Sequence, residues 1–257
     1  MKKLVCLFLS LLMLTASFAA LAEDAGKLIA HYDFEDPANL GKDVSGNGND
    51  LVAKGKSTPI ATADAVVGAG ALEMDGECVL VTEATAGDFT DGLTSYTVSF
   101  YFKHQGYVGE HYRILSTGYN GCQCGISHTI GKYVHNDVQF LQYQPIIGDT
   151  GRDFWGRMNE YTTILDNAET EENELKTYHW YVGTFDAETN SVTAWVDGKL
   201  CATLECVNPS VKCDHYGVAL GGSYVPWSDQ VMQAFIGMVD DVRIYDYAIQ
   251  DIAELGE

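Results

Sequence analysis

The stretch SYTVSFYFKH, residues 95–104, places Tyr96, Val98, Phe100 and Phe102 on one face of an extended chain. Thr97, Ser99, Tyr101 and Lys103 fall on the other. Successive strand side chains point to opposite sides, so this period of two reads as a strand with one buried face. KLIAHYDF (27–34) repeats it, with Leu28, Ala30, Tyr32 and Phe34 on one side. TYHWYVGTFD (177–186) and SVTAWVDGKLCATLE (191–205) continue it, and DAETN (186–190) connects them. Asp197-Gly198 is a hairpin turn signal, because both residues tolerate positive φ. The last strand is FIGMVDDVRIYDY (235–247), whose alternation slips at Asp240-Asp241 and so predicts a bulge or deliberately placed acids.

Helical spacing is confined to AIQDIAEL (248–255), about two turns long. Without alternating strand–helix units the parallel sheets of α/β folds are excluded. Many antiparallel strands over more than two hundred residues imply an all-β, two-sheet antiparallel jelly-roll sandwich with a short C-terminal helix. The least regular region, 119–176, reads as long loops on one rim.

Residues 1–22 have the features of a secretory signal peptide: Lys2 and Lys3, the apolar run Leu4–Leu14, and the small-residue site Ala20-Leu21-Ala22. The run is too short to span a bilayer, and no later segment approaches the length that would. Residues 23–257 are therefore expected to form one exported domain without membrane insertion. The formal charge of −21 disfavours nucleic acid and anionic membranes as partners, and it suits hard cations.

Of seven cysteines, Cys6 lies in the leader. The others are Cys78, Cys122, Cys124, Cys201, Cys206 and Cys213, an even number that favours disulfides after export, with at most one thiol left free. Cys206 and Cys213 flank VNPSVK and form the best single pair. Cys201 and Cys206 point to opposite faces of one strand and should not pair. A zinc set of Cys122, Cys124, His128 and His135 has weak spacing and ranks below the disulfides.

Six segments in order carry a resemblance: HYDFED, DVSGNGNDL, GALEMDG, YTVSFYFK, TFDAETNSVTAWVDGKL and FIGMVDDVRIYDYAI. Together they resemble the laminin-G-like jelly-roll domains of the concanavalin A-like lectin/glucanase superfamily, over nearly the whole of 27–254. The resemblance implies a two-sheet jelly roll, frequent calcium binding, and recognition of glycans or extracellular proteins. It leaves the ligand open, since one fold hosts many functions. Some members cleave glucans with carboxylates in an E-x-D-x-x-E strand pattern, which is absent here. The expectation is a non-catalytic module. The enzyme alternative rests on a scattered carboxylate pair such as Glu73 and Glu83.

DVSGNGND (43–50) copies the first half of a helical calcium loop, but Lys54 occupies the position that needs a glutamate. The calcium expectation instead joins Asp33 and Glu35 at the end of the first strand, Asp43, Asn47 and Asn49 in the loop, and Asp240 and Asp241 on the last strand. First and last strands commonly lie side by side in such sandwiches. The alternative is a solvated Asx turn with an acid pair that protects a sheet edge. For the ligand, rim aromatics are the candidates: Tyr107 and Tyr112 in GYVGEHYR, Trp155 in RDFWGRMNEY, and Tyr224 and Trp227 in SYVPWSDQ. Each ring could equally cover an end of the sandwich. Trp180 and Trp195 lie within strand patterns.

Overall fold

The computed structural model describes residues 27–82, 89–90, 93–106, 112–117, 126–135, 138–149, 162–164, 172–205, 209–210 and 218–255. The expected leader, Tyr107, Trp155, Glu83, Cys122, Cys124, Cys206 and Cys213 lie outside these residues.

The strands in chain order begin with β1 (Leu28–Tyr32), β2 (Leu51–Gly55), β3 (Ile60–Thr62), β4 (Ala71–Asp75), β5 (Cys78–Thr82) and β6 (Tyr96–His104). Then come β7 (Tyr112–Ser116), β8 (Ile126–His135), β9 (Val138–Asp149), β10 (Thr162–Ile164), β11 (His179–Asp186) and β12 (Ser191–Val196). The last are β13 (Lys199–Glu205), β14 (Pro209–Ser210), β15 (Ala219–Leu220), β16 (Ser223–Val225), β17 (Gln230–Met232) and β18 (Ile236–Tyr245). One sheet runs β13-β12-β11-β6-β18-β4-β3 with β1 also on β18. The other runs β10-β9-β8-β7-β15-β5-β2 with β14 on β9, and β16 and β17 form a separate hairpin. All these strand pairs are antiparallel. The all-β sandwich read from the alternation is the fold, but 119–176 is not the run of long loops expected, since it carries β8, β9 and β10.

β6 shows why. Tyr96, Val98, Phe100 and Phe102 are buried between the sheets with Tyr32, Leu72, Ile114, Tyr181 and Phe235. Phe100 stacks on Tyr181 at 4.9 Å. The outward residues Thr97, Ser99 and Lys103 are buried too, which the alternation does not announce. Thr97 Oγ1 donates to the Tyr247 carbonyl and accepts from the Ile249 N–H, so the segment after β18 lies across this face. Ile249 packs there on Val182 and Trp195, beside Trp180, Tyr247, Ile252 and Leu255. That engagement explains why the expected two-turn helix is shorter. Only a 3-10 turn, Ile252–Leu255, forms, after residues 247–249 have been drawn onto the sheet.

The β12–β13 connection has Asp197 at φ 51° and Gly198 at φ 74°, the doubly left-handed geometry the Asp-Gly pair predicts. β18 pairs with β4 through 236–239, with β1 through 242–245, and with β6 along its other edge. Between Asp240 and Arg243 the register against β6 shifts, and Asp241 has φ 48°. The slip in the sequence is thus a bulge, and the first and last strands do lie side by side.

Among the described residues, three histidines occupy the interior. His128 Nδ1 lies 2.9 Å from the Tyr181 hydroxyl, and burial lowers its pKa to about 3. Burial lowers His104 to about 3 as well, helped by the nearby His179. His179 sits between Glu174 (3.0 Å) and Asp197 (2.8 Å). Burial opposes its charge, but the hydrogen bonds it donates to the two carboxylates outweigh that and raise the pKa to about 9.

The cysteine expectation needs correction. Cys78 and Cys201 are free, buried thiols. They belong to different sheets, on β5 and β13, and pack as small apolar side chains in the core. Two free thiols exceed the one allowed for. The Cys206–Cys213 pair lies outside the described residues. The zinc set loses His128 to the core, and no His, Cys, Asp or Glu group suited to a metal occurs among the described residues.

Candidate functional site

The Asp43 loop is a self-bonded staple. Asp43 is 2% exposed. Its Oδ1 accepts from the backbone N–H groups of His31 (3.0 Å) and Ser45 (2.9 Å), and its Oδ2 from that of Asn49 (2.9 Å). Burial would raise its pKa, but hydrogen bonds involving Ser45, Asn49 and His31 hold it below the usual value. Asn47 and Asn49 direct their carboxamide N–H groups to the carbonyls of Leu28 and Ile29. Gly46 (φ 88°) and Gly48 (φ 80°) give the loop the left-handed turns this requires. The alternating oxygens of DVSGNGND thus tie the loop to β1.

The remaining oxygen residues make other networks. Asp241 bonds His31 Nε2 at 2.7 Å and Arg243 at 2.9 Å. Asp33 accepts from the Glu35 N–H at 3.3 Å. Glu35 Oε1 accepts from the N–H groups of Ala69 and Gly70, and Asp240 Oδ2 from those of Val66 and Val67. Glu35 and Asp240 therefore clamp one turn, 66–70. Asp240 is fully buried and its Oδ1 meets no donor. Burial raises its pKa, partly offset by the Val66 and Val67 hydrogen bonds.

The aromatic candidates separate just as clearly. Tyr112 is a correction: it is 1% exposed in the core, its ring against His104 and Phe235. It opens β7, YRILS, which is buried at every position. Tyr224 and Trp227 belong to the β16–β17 hairpin, whose register pairs Tyr224 with Val231. The Tyr224 ring packs on Val79, Val81 and Ala219, which fixes the hairpin to one outer face of its sheet. The Tyr224 hydroxyl donates to Asp229 Oδ1 at 2.7 Å, across a turn closed by Ser228 N–H to the Val225 carbonyl at 3.2 Å. Burial, with Asp229 beside it, raises the Tyr224 pKa to about 12. Trp227 stands at the tip, 64% exposed.

Next to that tip is a pocket of about 330 Å³ lined by Gly55, Lys56, Gly76, Glu77, Ser228, Asp229, Gln230 and Val231. Its far wall is the corner where β4 crosses to β5 in the other sheet, joined to the end of β2 by Lys56 N–H to the Glu77 carbonyl at 2.9 Å. At Gly55 (φ 110°) a Cβ would lie 2.3 Å from the Glu77 carbonyl oxygen and 2.9 Å from Val231 Cγ2. Any larger residue there would push the hairpin off this wall. An exposed indole beside a small polar pocket offers an apolar plate and several hydroxyl-bonding groups together.

A family model described as the concanavalin A-like lectin/glucanases superfamily matches residues 81–251. The chain belongs to this family. Among solved structures, this concanavalin A-like chain is similar to domain 4 of AbnA, a GH43 extracellular arabinanase from Geobacillus stearothermophilus, solved with arabinotriose. Identity is 17% and the TM-score 0.58, over 88% of this chain and 96% of that one. It also resembles the receptor-binding domain of botulinum neurotoxin mosaic serotype C/D, at 13% identity and TM-score 0.53, over 89% of this chain and 50% of that one. The chain thus spans about half the length of that neurotoxin domain. These likenesses carry the fold alone. No curated protein matches the sequence.

Within this concanavalin A-like frame, sequence reasoning found Tyr224 and Trp227 but missed Lys56, Glu77 and Gln230. The only local signal for the far wall is the turn pair Asp75-Gly76, which says nothing about what it faces. Of the scattered carboxylate pair, Glu73 lies on β4 and Glu83 is outside the described residues.

Proposed function

We propose that this protein is an exported, non-catalytic recognition module that binds carbohydrate at the pocket beside Trp227. The observation that carries the reading is Trp227 itself, a large apolar ring 64% exposed on a turn that the Tyr224–Asp229 hydrogen bond braces. Tyr224 is the base of this hairpin, and its phenol is already engaged. The sugar-bound arabinanase domain of similar fold supports the class of ligand by analogy. Titration calorimetry with arabinotriose and lactose tests it. Binding should weaken more than about ten-fold in Trp227→Ala, the scale of a lost aromatic hot spot. Equal binding by that variant, or no binding to either sugar, would refute the site.

Calcium belongs to the same reading, with Asp240 and Glu35 holding it. Asp240 Oδ1 is a buried carboxylate oxygen with no donor, which is what a hard cation would satisfy. With no group of three acids close by among the described residues, carbonyl or water oxygens would complete the shell. Calcium should raise the melting temperature of the wild type and leave Asp240→Asn unmoved. A chelator without effect on the wild type would remove calcium from the reading.

One observation favours a glycan-cleaving alternative: Glu77 and Asp229 line the same pocket. Cleavage needs two carboxylates flanking one glycosidic bond, and Asp229 already accepts from Tyr224. Release of reducing ends from an oligosaccharide, lost in Glu77→Gln, would overturn the non-catalytic reading.

A further inference from the structure

The pocket beside Trp227 has a charge pattern that restricts what enters it, and the inference drawn from it rests on the carbohydrate reading above. Its lining carries two carboxylates, Glu77 and Asp229, against one ammonium, Lys56. Ser228 and Gln230 add neutral groups that accept and donate. The protein around it carries a formal charge of −21, so the long-range field at the mouth has the same sign as the local excess. Carboxylates accept from hydroxyl groups and repel other carboxylates at the same spot. The pocket is also small, with room for about two sugar rings at the lower end of ligand-site volumes. Its two walls meet tightly at Gly55, where even a Cβ would meet the Glu77 carbonyl oxygen.

We propose that this pocket selects uncharged sugars and rejects sugars bearing a carboxylate. Discrimination comes from repulsion as much as from contact, with Glu77 the main source. Asp229 contributes less because one oxygen is occupied by the Tyr224 hydroxyl, and its second task is to position the turn that presents Trp227.

The test is titration calorimetry of the full chain with arabinotriose and lactose, against 3′-sialyllactose and trigalacturonate. At low salt the neutral sugars should bind at least about ten-fold more tightly. The gap should narrow in about 0.3 M salt, because screening weakens repulsion at an exposed site. Glu77→Gln should narrow it as well, chiefly by improving the acidic ligands. Acidic sugars binding as well as their neutral counterparts, or a gap insensitive to both salt and Glu77→Gln, would overturn the selectivity and leave the sugar site standing. If none of the four sugars binds, or Trp227→Ala binds like the wild type, the site itself fails and the selectivity with it.

Discussion

Lowering the pH from 7.5 to 5 should destabilise this protein through the two histidines locked in its core. His104 and His128 have folded pKa values near 3, against about 6.5 for an unfolded histidine. Below 6.5 the unfolded chain takes up protons that the folded one refuses, so stability falls continuously toward pH 3. At about 1.4 kcal/mol per pH unit, each histidine costs about 2 kcal/mol at pH 5, or about 4 together. His179 works in the opposite sense. Its pKa near 9 gives stability that is complete below 6.5 and lost as pH rises through 9, so the same acidification returns about 1 kcal/mol. Asp240, raised by burial, opposes the loss at the acid end. Asp43 and Asp197, both lowered, act below the usual carboxylate range and outside this window. The net is a loss of about 2–3 kcal/mol, or roughly 5–10 °C in melting temperature for a domain of this size. Urea midpoints in buffers of matched ionic strength measure it. His128→Leu should start lower, having lost the Tyr181 contact, but its dependence on pH between 6.5 and 5 should be about half the wild-type slope. Stability that is flat or rising from pH 7.5 to 5, or an unchanged slope in His128→Leu, would refute the reasoning.

Asp43→Ala should cost about 3 kcal/mol in urea denaturation, because it strips three backbone N–H groups of a buried charged acceptor. Cys78 and Cys201 should resist alkylation in the native state and react in denaturant without a reductant, as peptide mass mapping would show. Thr97→Val should cost about 1–2 kcal/mol and expose residues 246–255 to limited proteolysis, since it removes both hydrogen bonds that fasten this segment. Trp227→Ala should leave the thermal midpoint nearly unchanged, within about 0.5 kcal/mol, because the ring is mostly in solvent.

The sandwich was legible because burial on one face imposes a period of two on β1, β6, β11 and β12, and because Asp197-Gly198 allows few geometries besides its turn. What the alternation misses is a second covering. Thr97 and Ser99 look solvated until the segment after β18 and the Trp180 indole arrive, and those contacts join residues 81 or more positions apart. Tyr112 was read as a rim residue from its polar neighbours, although the four residues after it are all buried. The Asp43 loop shows a deeper ambiguity: alternating Asx oxygens and glycines serve backbone N–H groups with the same spacing that serves a cation. Trp227 stood out in the sequence as a rim aromatic, but the hairpin that carries it did not. Nor did its pocket, because Lys56 and Glu77 come from turns far back along the chain.

The position of β18 sets an order on how the protein can be made. It is the last of the described strands, yet it lies inside its sheet, with β6 on one edge and β4 and β1 on the other. As a ribosome delivers the chain from its N-terminus, those three strands emerge long before the one that joins them. Half of the sandwich therefore stays open until residues 236–245 are available, and contacts this distant close slowly.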